Sequence, residues 1–358
     1  MTLQKSISIS FFFLTLALLS ACNNNSDALN KATPDKLYHH SIFSFGTIID
    51  VSIYGTTETE AELAFNQLED DFGYMQRTWS PKFRNALLRD NQLISLQEWF
   101  SDAPSVRPLI QASIPLANAS NHLFNPAVGK LIALWGFNNG EHDTGIPPDD
   151  DAILALVKAK PMISDIEIKG IQIKSNNADV NLNFGAIAKG YGIKREIDML
   201  KSIGINNAII NAGGDLHAIG MNNNRPWRIG IKHPRGKNQV LAYVELQNDE
   251  AVFTSGDYER FFEYEGKRYH HIIDPRTGYP ATGTQSVTVI HSDPTVADAA
   301  ATALFIAGPK DWQQIAKNMG IKHVLLVDSK GKIHISPDMQ KRVIFKQTPE
   351  NMTISKPL

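Results

Sequence analysis

VNLNFGAIAKGYGIKREIDMLKSIGINNAIIN, residues 180–211, decides the fold class. Val180–Leu182 reads as a short strand. Ala186–Ile203 reads as a helix ended by Gly204, and Ala208–Asn211 returns to strand. Before it, strands are expected at Ile166–Ile168 and Ile171–Ile173. After it come Trp227–Lys232, Leu241–Leu246, Arg268–Ile273 and Ser286–Ile290. Val296–Ala307 and Lys310–Met319 read as helices, and His323–Val327 and Ile333–Ile335 flank a hairpin turn at Asp328–Gly331. Upstream, Thr47–Tyr54 is β-branched and reads as a strand. Thr57–Met75 reads as a helix, with capping-box patterns at Thr57/Glu60 and Thr59/Glu62 and with Leu63, Leu68 and Phe72 at helical spacing. Val106–Asn118, Val128–Leu134 and Ala152–Lys158 add helices, the last after an acidic loop, Glu141–Asp151. Helices and strands mix without the strict alternation of a doubly wound sheet, so the class is α+β.

The first 21 residues read as a signal peptide. Lys5 gives a positive start and Phe11–Leu19 is apolar except for Thr15. That run is shorter than the roughly 20 residues a membrane-spanning helix needs. Leu19-Ser-Ala-Cys22 resembles the lipobox of bacterial lipoproteins, which implies cleavage before Cys22, a lipid on its thiol, and an exported protein anchored to a membrane and facing the periplasm. An ordinary signal peptide with an incidental cysteine is the other reading. Cys22 is the only cysteine, so it has no partner for an intrachain disulfide. Residues 22–35 are polar and aperiodic, a tether. One body follows over 36–345, with a tail at 346–358. Loss of Lys5 from the 35 Lys and Arg leaves 34 against 37 Asp and Glu, a formal charge of −3, which excludes a basic footprint for nucleic acid.

Several segments carry chemistry. Tyr269–Gly278, YHHIIDPRTG, puts His270, His271, Asp274, Arg276 and Thr277 at a strand end. That places either a proton-transfer group at a rigid edge or an Asx-turn beside exposed histidines. Gly185-Ala-Ile-Ala-Lys-Gly-Tyr-Gly192 opens a helix. Small residues and Lys189 there suit a phosphate, or the glycines serve close helix packing. Its spacing is that of neither a Walker loop nor a dinucleotide fingerprint. Asn211–Asp215 ends a strand in a glycine turn whose Asp215 is open to a structural or a functional role. Asp298 and Thr302, four apart on one helix face, form a hard-oxygen pair suited to Mg²⁺, or Asp298 simply answers the helix dipole. Trp79, Phe124, Trp135 and Phe137 lie near turns or in polar stretches, as core or as planes for a flat ring. A hydrolase built from Ser255, His271 and Asp274 lacks the expected nucleophile elbow.

Together these segments resemble the ApbE family of FAD:protein FMN transferases. The resemblance is carried by Phe45-Gly-Thr47, FNPAVGKLIALWGF (124–137), Asn183–Gly192, NAGGDLHAIG (211–220), TSGDYER (254–260), HHIIDPRTGYP (270–280) and VADAAATAL (296–304). It implies an ApbE-like (T-fold-like) body and an Mg²⁺-dependent transfer of the FMN half of FAD to a Thr or Ser hydroxyl of a partner flavoprotein, with release of AMP. It further implies that the acceptor is a subunit of a membrane redox complex of the Nqr or Rnf type. Mg²⁺ would be held by Asp298 and Thr302 with backbone oxygens of Ala186 and Ala301. FAD would be held by Phe45, Trp79, Leu123, Phe124, Asn125, Asn183, Lys189 and Ile272, with His271 as the base. Asp257, Arg260, Asp274 and Thr277 would order the pocket. Asn125 and Asn183 stand where the family usually has aspartate, each keeping hydrogen-bonding ability but losing a negative charge, and Ala127 stands where it has threonine. An FAD-binding lipoprotein without transfer activity, or an FAD pyrophosphatase giving FMN and AMP, are the alternatives.

Overall fold

The computed structural model describes residues 36–81, 84–138, 145–237 and 239–358. The signal, Cys22 and the tether lie outside them, as do residues 141–144 of the acidic loop. Pro34–Leu358 forms one compact unit. Among the described residues no helix is long and apolar enough to cross a membrane.

A nine-stranded sheet organises the body. Its strands are β1 (Leu37–Ser44), β2 (Thr47–Tyr54), β3 (Ala208–Ala212), β4 (Asp215–Ile219), β5 (Glu250–Gly256), β6 (Thr284–His291), β7 (His323–Asp328), β8 (Ile333–Ile335) and β9 (Met352–Ile354). Their order across the sheet is their order in the chain. Neighbours run antiparallel except β8 and β9. Period-two alternation gives the sheet two apolar faces. Ala251 and Phe253, Val287 and Val289, and Val324 and Leu326 face the main core. Val252, Ile290, Leu325 and Val327 face a second core, which the small sheet of Arg228–Lys232, Val240–Glu245 and Val343–Phe345 closes.

Among the helices that pack into the main core are α1 (Glu58–Trp79), α2 (Ala188–Ser202) and α3 (Pro294–Asn318). The Thr57/Glu60 capping box starts α1. Ala61, Ala64, Phe65, Leu68, Phe72 and Met75 are its buried stripe, whereas Leu63 is 65% exposed and lies off it. Asp293 caps α3, accepting from the amides of Thr295 and Val296 at 2.8 and 3.3 Å. The two helices expected at 296–319 form α3, broken at Gly308, whose φ of 68° departs from helix one residue before Pro309.

Local hydrogen bonding corrects three boundaries. Val180–Leu182 makes one bridge, Asn181 to Val128, and no strand. The Asn91 side chain takes both the amide and the carbonyl of Leu182, so that backbone needs no strand partner. α2 begins at Ala188, not Ala186, because Asn183 Oδ1 accepts the Gly185 amide and holds the approach in an Asx-type turn. The strand expected at 268–273 stops at His270, since the His271 amide turns to the Arg260 carbonyl at 3.1 Å. Residues 346–358, set apart as a tail in the sequence, supply edge strand β9, and Leu358 packs against the main core.

Candidate active site

A cavity of about 530 Å³ lies between the start of α2, the middle of α3, the β3–β4 turn and the end of β5. All the binding, metal and catalytic candidates within the body line it: Phe45, Trp79, Leu123, Phe124, Asn125, Asn183, Ala186, Lys189, His271, Ile272, Asp298, Ala301 and Thr302.

The polar floor starts from Lys189, in the first turn of α2, which ion-pairs with Asp215 across the β3–β4 turn. Gly213 and Gly214, with φ of 66° and 105°, make that turn possible. Asp215 Oδ1 accepts the Thr254 amide at 2.9 Å, fixing the carboxylate to β5. On the facing helix, Asp298 Oδ2 accepts the Gly190 amide at 2.8 Å. Burial alone would lower the Lys189 pKa, but Asp215 and Asp298 outweigh it, and the ammonium stays charged. Burial pushes Asp298 up to about 7, Lys189 opposing and Asp215 reinforcing. Two carboxylates thus flank one ammonium. Ser255 Oγ and Thr302 Oγ1, 3.2 Å apart, add hydroxyl oxygens beside Asp298.

This donor set fits a hard divalent cation. Among the described residues no three His, Cys, Asp or Glu side chains gather around a metal position. A zinc-type cage is therefore not what the cavity offers. One carboxylate with hydroxyl and backbone oxygens is the partial shell that Mg²⁺ accepts, the rest being water and substrate. Burial first, with Asp215 reinforcing, raises Asp298, and a cation seated there would oppose both.

The opposite wall is aromatic. Phe45 and Gly46 both have positive φ, 52° and 72°, and form the two-residue turn joining β1 to β2. A phenylalanine at positive φ is strained. The Gln76 carboxamide holds it, accepting the Phe45 amide at 2.7 Å. The Phe45 ring lies parallel to Trp79, centroids 6.2 Å apart, and Trp79 donates its Nε1–H to the Ser105 carbonyl at 2.8 Å. Gln76 had no signal in the sequence, because its contact spans 31 residues.

The two histidines differ. His270 packs edge-on against Phe305, and both ring nitrogens are taken, Nε2 by the Ala281 carbonyl at 2.8 Å and Nδ1 by the Ile272 amide at 3.2 Å. Its role is structural. His271 lines the cavity with Nδ1 3.3 Å from the Arg260 carbonyl, so Nδ1 carries the proton and Nε2 is the basic atom. Burial first, then the Arg260 charge, lower its pKa well below the usual histidine range, so it is neutral.

The alternatives left open by the sequence resolve. Gly190 and Gly192 serve packing: a Cβ at Gly190 would lie 2.3 Å from the Pro294 carbonyl oxygen, and one at Gly192 would lie 3.1 Å from Met75 Sδ. The helix dipole is answered by Asp293, which leaves Asp298 for the cavity. A Ser255–His271–Asp274 triad does not form, because Ser255 meets Thr302, His271 meets Arg260, and Asp274 is paired with Arg276 at 2.8 Å. Arg260 reaches the cavity, whereas Asp257, Asp274 and Thr277 do not line it. Asp257 is held by Arg235 at 2.6 Å. The two asparagines are used as amides. Asn125 Nδ2 donates to the Pro161 carbonyl at 2.8 Å and its Oδ1 accepts from Ala127 at 3.1 Å. Asn183 Nδ2 donates to Asn138 Oδ1 at 2.9 Å.

The sequence and the fold both have known relatives. Residues 45–325 match the model of the ApbE family. The chain is 38% identical over 319 residues to a Rhodobacter capsulatus protein named FAD:protein FMN transferase, covering 88% of this chain and 60% of that one, so it spans less than two thirds of that relative's length. A Treponema pallidum protein of the same name is 30% identical over 298 residues, 76% of this chain and 79% of its own. Among solved structures, the ApbE protein of Thermotoga maritima superposes with a TM-score of 0.78 at 32% identity, over 86% of this chain and 99% of that one. The flavin transferase ApbE of Vibrio cholerae gives 0.75 at 26% identity, over 86% and 99%. The mixed helix-and-sheet architecture is that of these flavin transferases.

Proposed function

The chain belongs to the ApbE family, and from that premise we propose that it transfers the FMN half of FAD to a Thr or Ser hydroxyl of a partner flavoprotein, releasing AMP. The observation that carries this reading is that the free edge of His271 and the Asp298–Thr302 face of α3 line one cavity. Phosphoryl transfer asks for a base at the incoming hydroxyl and positive charge at the diphosphate, and little covalent chemistry from the protein.

His271 Nε2 takes the acceptor hydroxyl's proton as that oxygen attacks the phosphorus of the FMN half. The bond from this phosphorus to the oxygen bridging toward adenosine breaks, and that oxygen leaves on AMP. A neutral imidazole is the form that accepts the proton, and its lowered pKa keeps it so. Lys189, held charged by Asp215, faces the diphosphate. Asp298 and Thr302, with the Ala186 and Ala301 carbonyls, would hold Mg²⁺, which supplies charge neutralisation at the transferred phosphoryl group. Phe45 and Trp79 offer flat rings to the flavin or the adenine. The Leu19–Cys22 pattern supports a lipid anchor facing the periplasm, where a subunit of an Nqr- or Rnf-type complex would be the acceptor.

The test mixes the protein with FAD, MgCl₂ and a flavoprotein bearing a candidate acceptor threonine, then reads covalent flavin fluorescence on a denaturing gel. Labelled acceptor is expected. His271→Ala should slow labelling by about 10²–10⁴-fold while FAD stays bound. Free FMN and AMP without label would make the protein a pyrophosphatase, and intact bound FAD would make it a carrier. Either result overturns transfer.

A further inference from the structure

Arg260 stands apart from the other cations of the cavity. Lys189 is neutralised by Asp215. Lys232 has Glu259 at 3.7 Å and lies over the Tyr258 ring. Among the described residues, no carboxylate lies within ion-pair distance of Arg260, whose guanidinium makes one long contact, Nη1 to the Phe137 carbonyl at 3.4 Å. A guanidinium carries five donors in a rigid fork. Arg260 lines the cavity on its solvent-open side, and the rest of its fork meets no protein acceptor among the described residues.

Position adds a second constraint. The Arg260 carbonyl takes the His271 amide at 3.1 Å and lies 3.3 Å from Nδ1, so the two residues are neighbours on the cavity wall. His271, Lys189 and Arg260 line the same cavity. A phosphate oxygen pair matches both the charge and the bidentate geometry of the fork.

We propose that Arg260 grips the phosphate carried by the flavin half of the substrate, on the His271 side of the cavity, and so discriminates phosphorylated from unphosphorylated flavin. This assignment rests on the transferase reading for its substrate, yet its test needs binding alone. FMN and riboflavin share the isoalloxazine and ribityl groups and differ by that phosphate. Titrated by flavin fluorescence, wild-type protein should bind FMN more tightly than riboflavin. Arg260→Gln should raise the Kd for FMN by about 10–100-fold, the range expected for charge-assisted hydrogen bonds. The Kd for riboflavin should stay within about twofold. Arg260→Lys, which keeps the charge and loses the fork, should fall between, and its melting temperature guards against a collapsed wall. Equal weakening of both flavins, no weakening of either, or a wild type that does not prefer FMN would each overturn the assignment. If the flavin contrast holds while no acceptor is labelled, transfer falls and the role of Arg260 stands.

Discussion

Asp298 Oδ2 accepts the Gly190 amide at 2.8 Å and thereby ties α3 to the first turn of α2. The bond exists because residue 190 has no side chain. A Cβ there would sit 2.3 Å from the Pro294 carbonyl oxygen and 2.7 Å from Asp298 Cβ, and both belong to the helix that carries the proposed metal face. Gly190→Ala must wedge the helices apart. Overpacking of this kind costs about 1–3 kcal/mol, so the urea midpoint should fall. More Mg²⁺ should also be needed for half-maximal turnover, because the carboxylate loses its tether. A variant with the wild-type midpoint and Mg²⁺ requirement would show that the helices part freely.

The raised pKa of Asp298, about 7, makes a proton compete with the cation. Its ordinary value is 3.8, so the metal-free fold holds the proton more tightly than the unfolded chain does. The carboxylate therefore costs the apo fold stability as pH climbs from 3.8 toward 7, and bound Mg²⁺ should relieve that cost. Mg²⁺ affinity should rise by up to about tenfold per pH unit below 7 and level off above it. Calorimetric titration in buffers of different ionisation enthalpy should show close to one proton released per Mg²⁺ at pH 5.5 and almost none at pH 8.5. Asp298→Asn should abolish both the binding and the release. Affinity that ignores pH would mean that Asp298 is not a ligand.

Asn125 shows how a departure from a family pattern can be local chemistry. Its Nδ2 donates to the Pro161 carbonyl at 2.8 Å, while its Oδ1 accepts from Ala127 and Ile163 at 3.1 and 3.3 Å. An aspartate could keep the two acceptances, but would set a carboxylate oxygen against the Pro161 carbonyl. Asn125→Asp should thus lower stability by about 1–3 kcal/mol without tightening Mg²⁺ or FAD binding. A stable Asp variant that binds Mg²⁺ more tightly would show that the missing charge matters more than the amide.

How much was legible follows from how far each contact reaches along the chain. Motifs closed within a few residues were readable, such as the Thr57–Glu60 box or the Asp328–Gly331 turn. Strands with strict alternation were readable because their two faces meet two cores. What failed had its backbone satisfied by a distant side chain. Leu182 is bonded to Asn91, 91 residues away, and reads as a strand only when Asn91 is ignored. In the site, the residue types were legible but their partners were not. Lys189 and Asp215 belong to different motifs 26 residues apart, and which histidine faces the cavity is decided by Arg260 on another strand end.

Glu196 gives a prediction outside the cavity. It lies on α2 with 0% exposure, and neither carboxylate oxygen has a hydrogen-bond partner. Arg195 Nε stays 3.8 Å away, and Asp71 of α1 brings a like charge. Burial first, then Asp71, push its pKa up to about 8 from 4.5. A carboxyl raised in the fold binds its proton more tightly there than in the unfolded chain. Its contribution is therefore most favourable below 4.5, declines as pH rises, and is lost above about 8. Glu196→Gln cannot titrate. At pH 4.5 the two proteins should have similar urea midpoints, and at pH 8.5 the Gln variant should be more stable by about 1–3 kcal/mol. The slope due to Asp298 is common to both curves and cancels in their difference. Parallel stability profiles across that range would mean that Glu196 ionises as freely in the fold as outside it, through water or a shift of Arg195 that satisfies its oxygens.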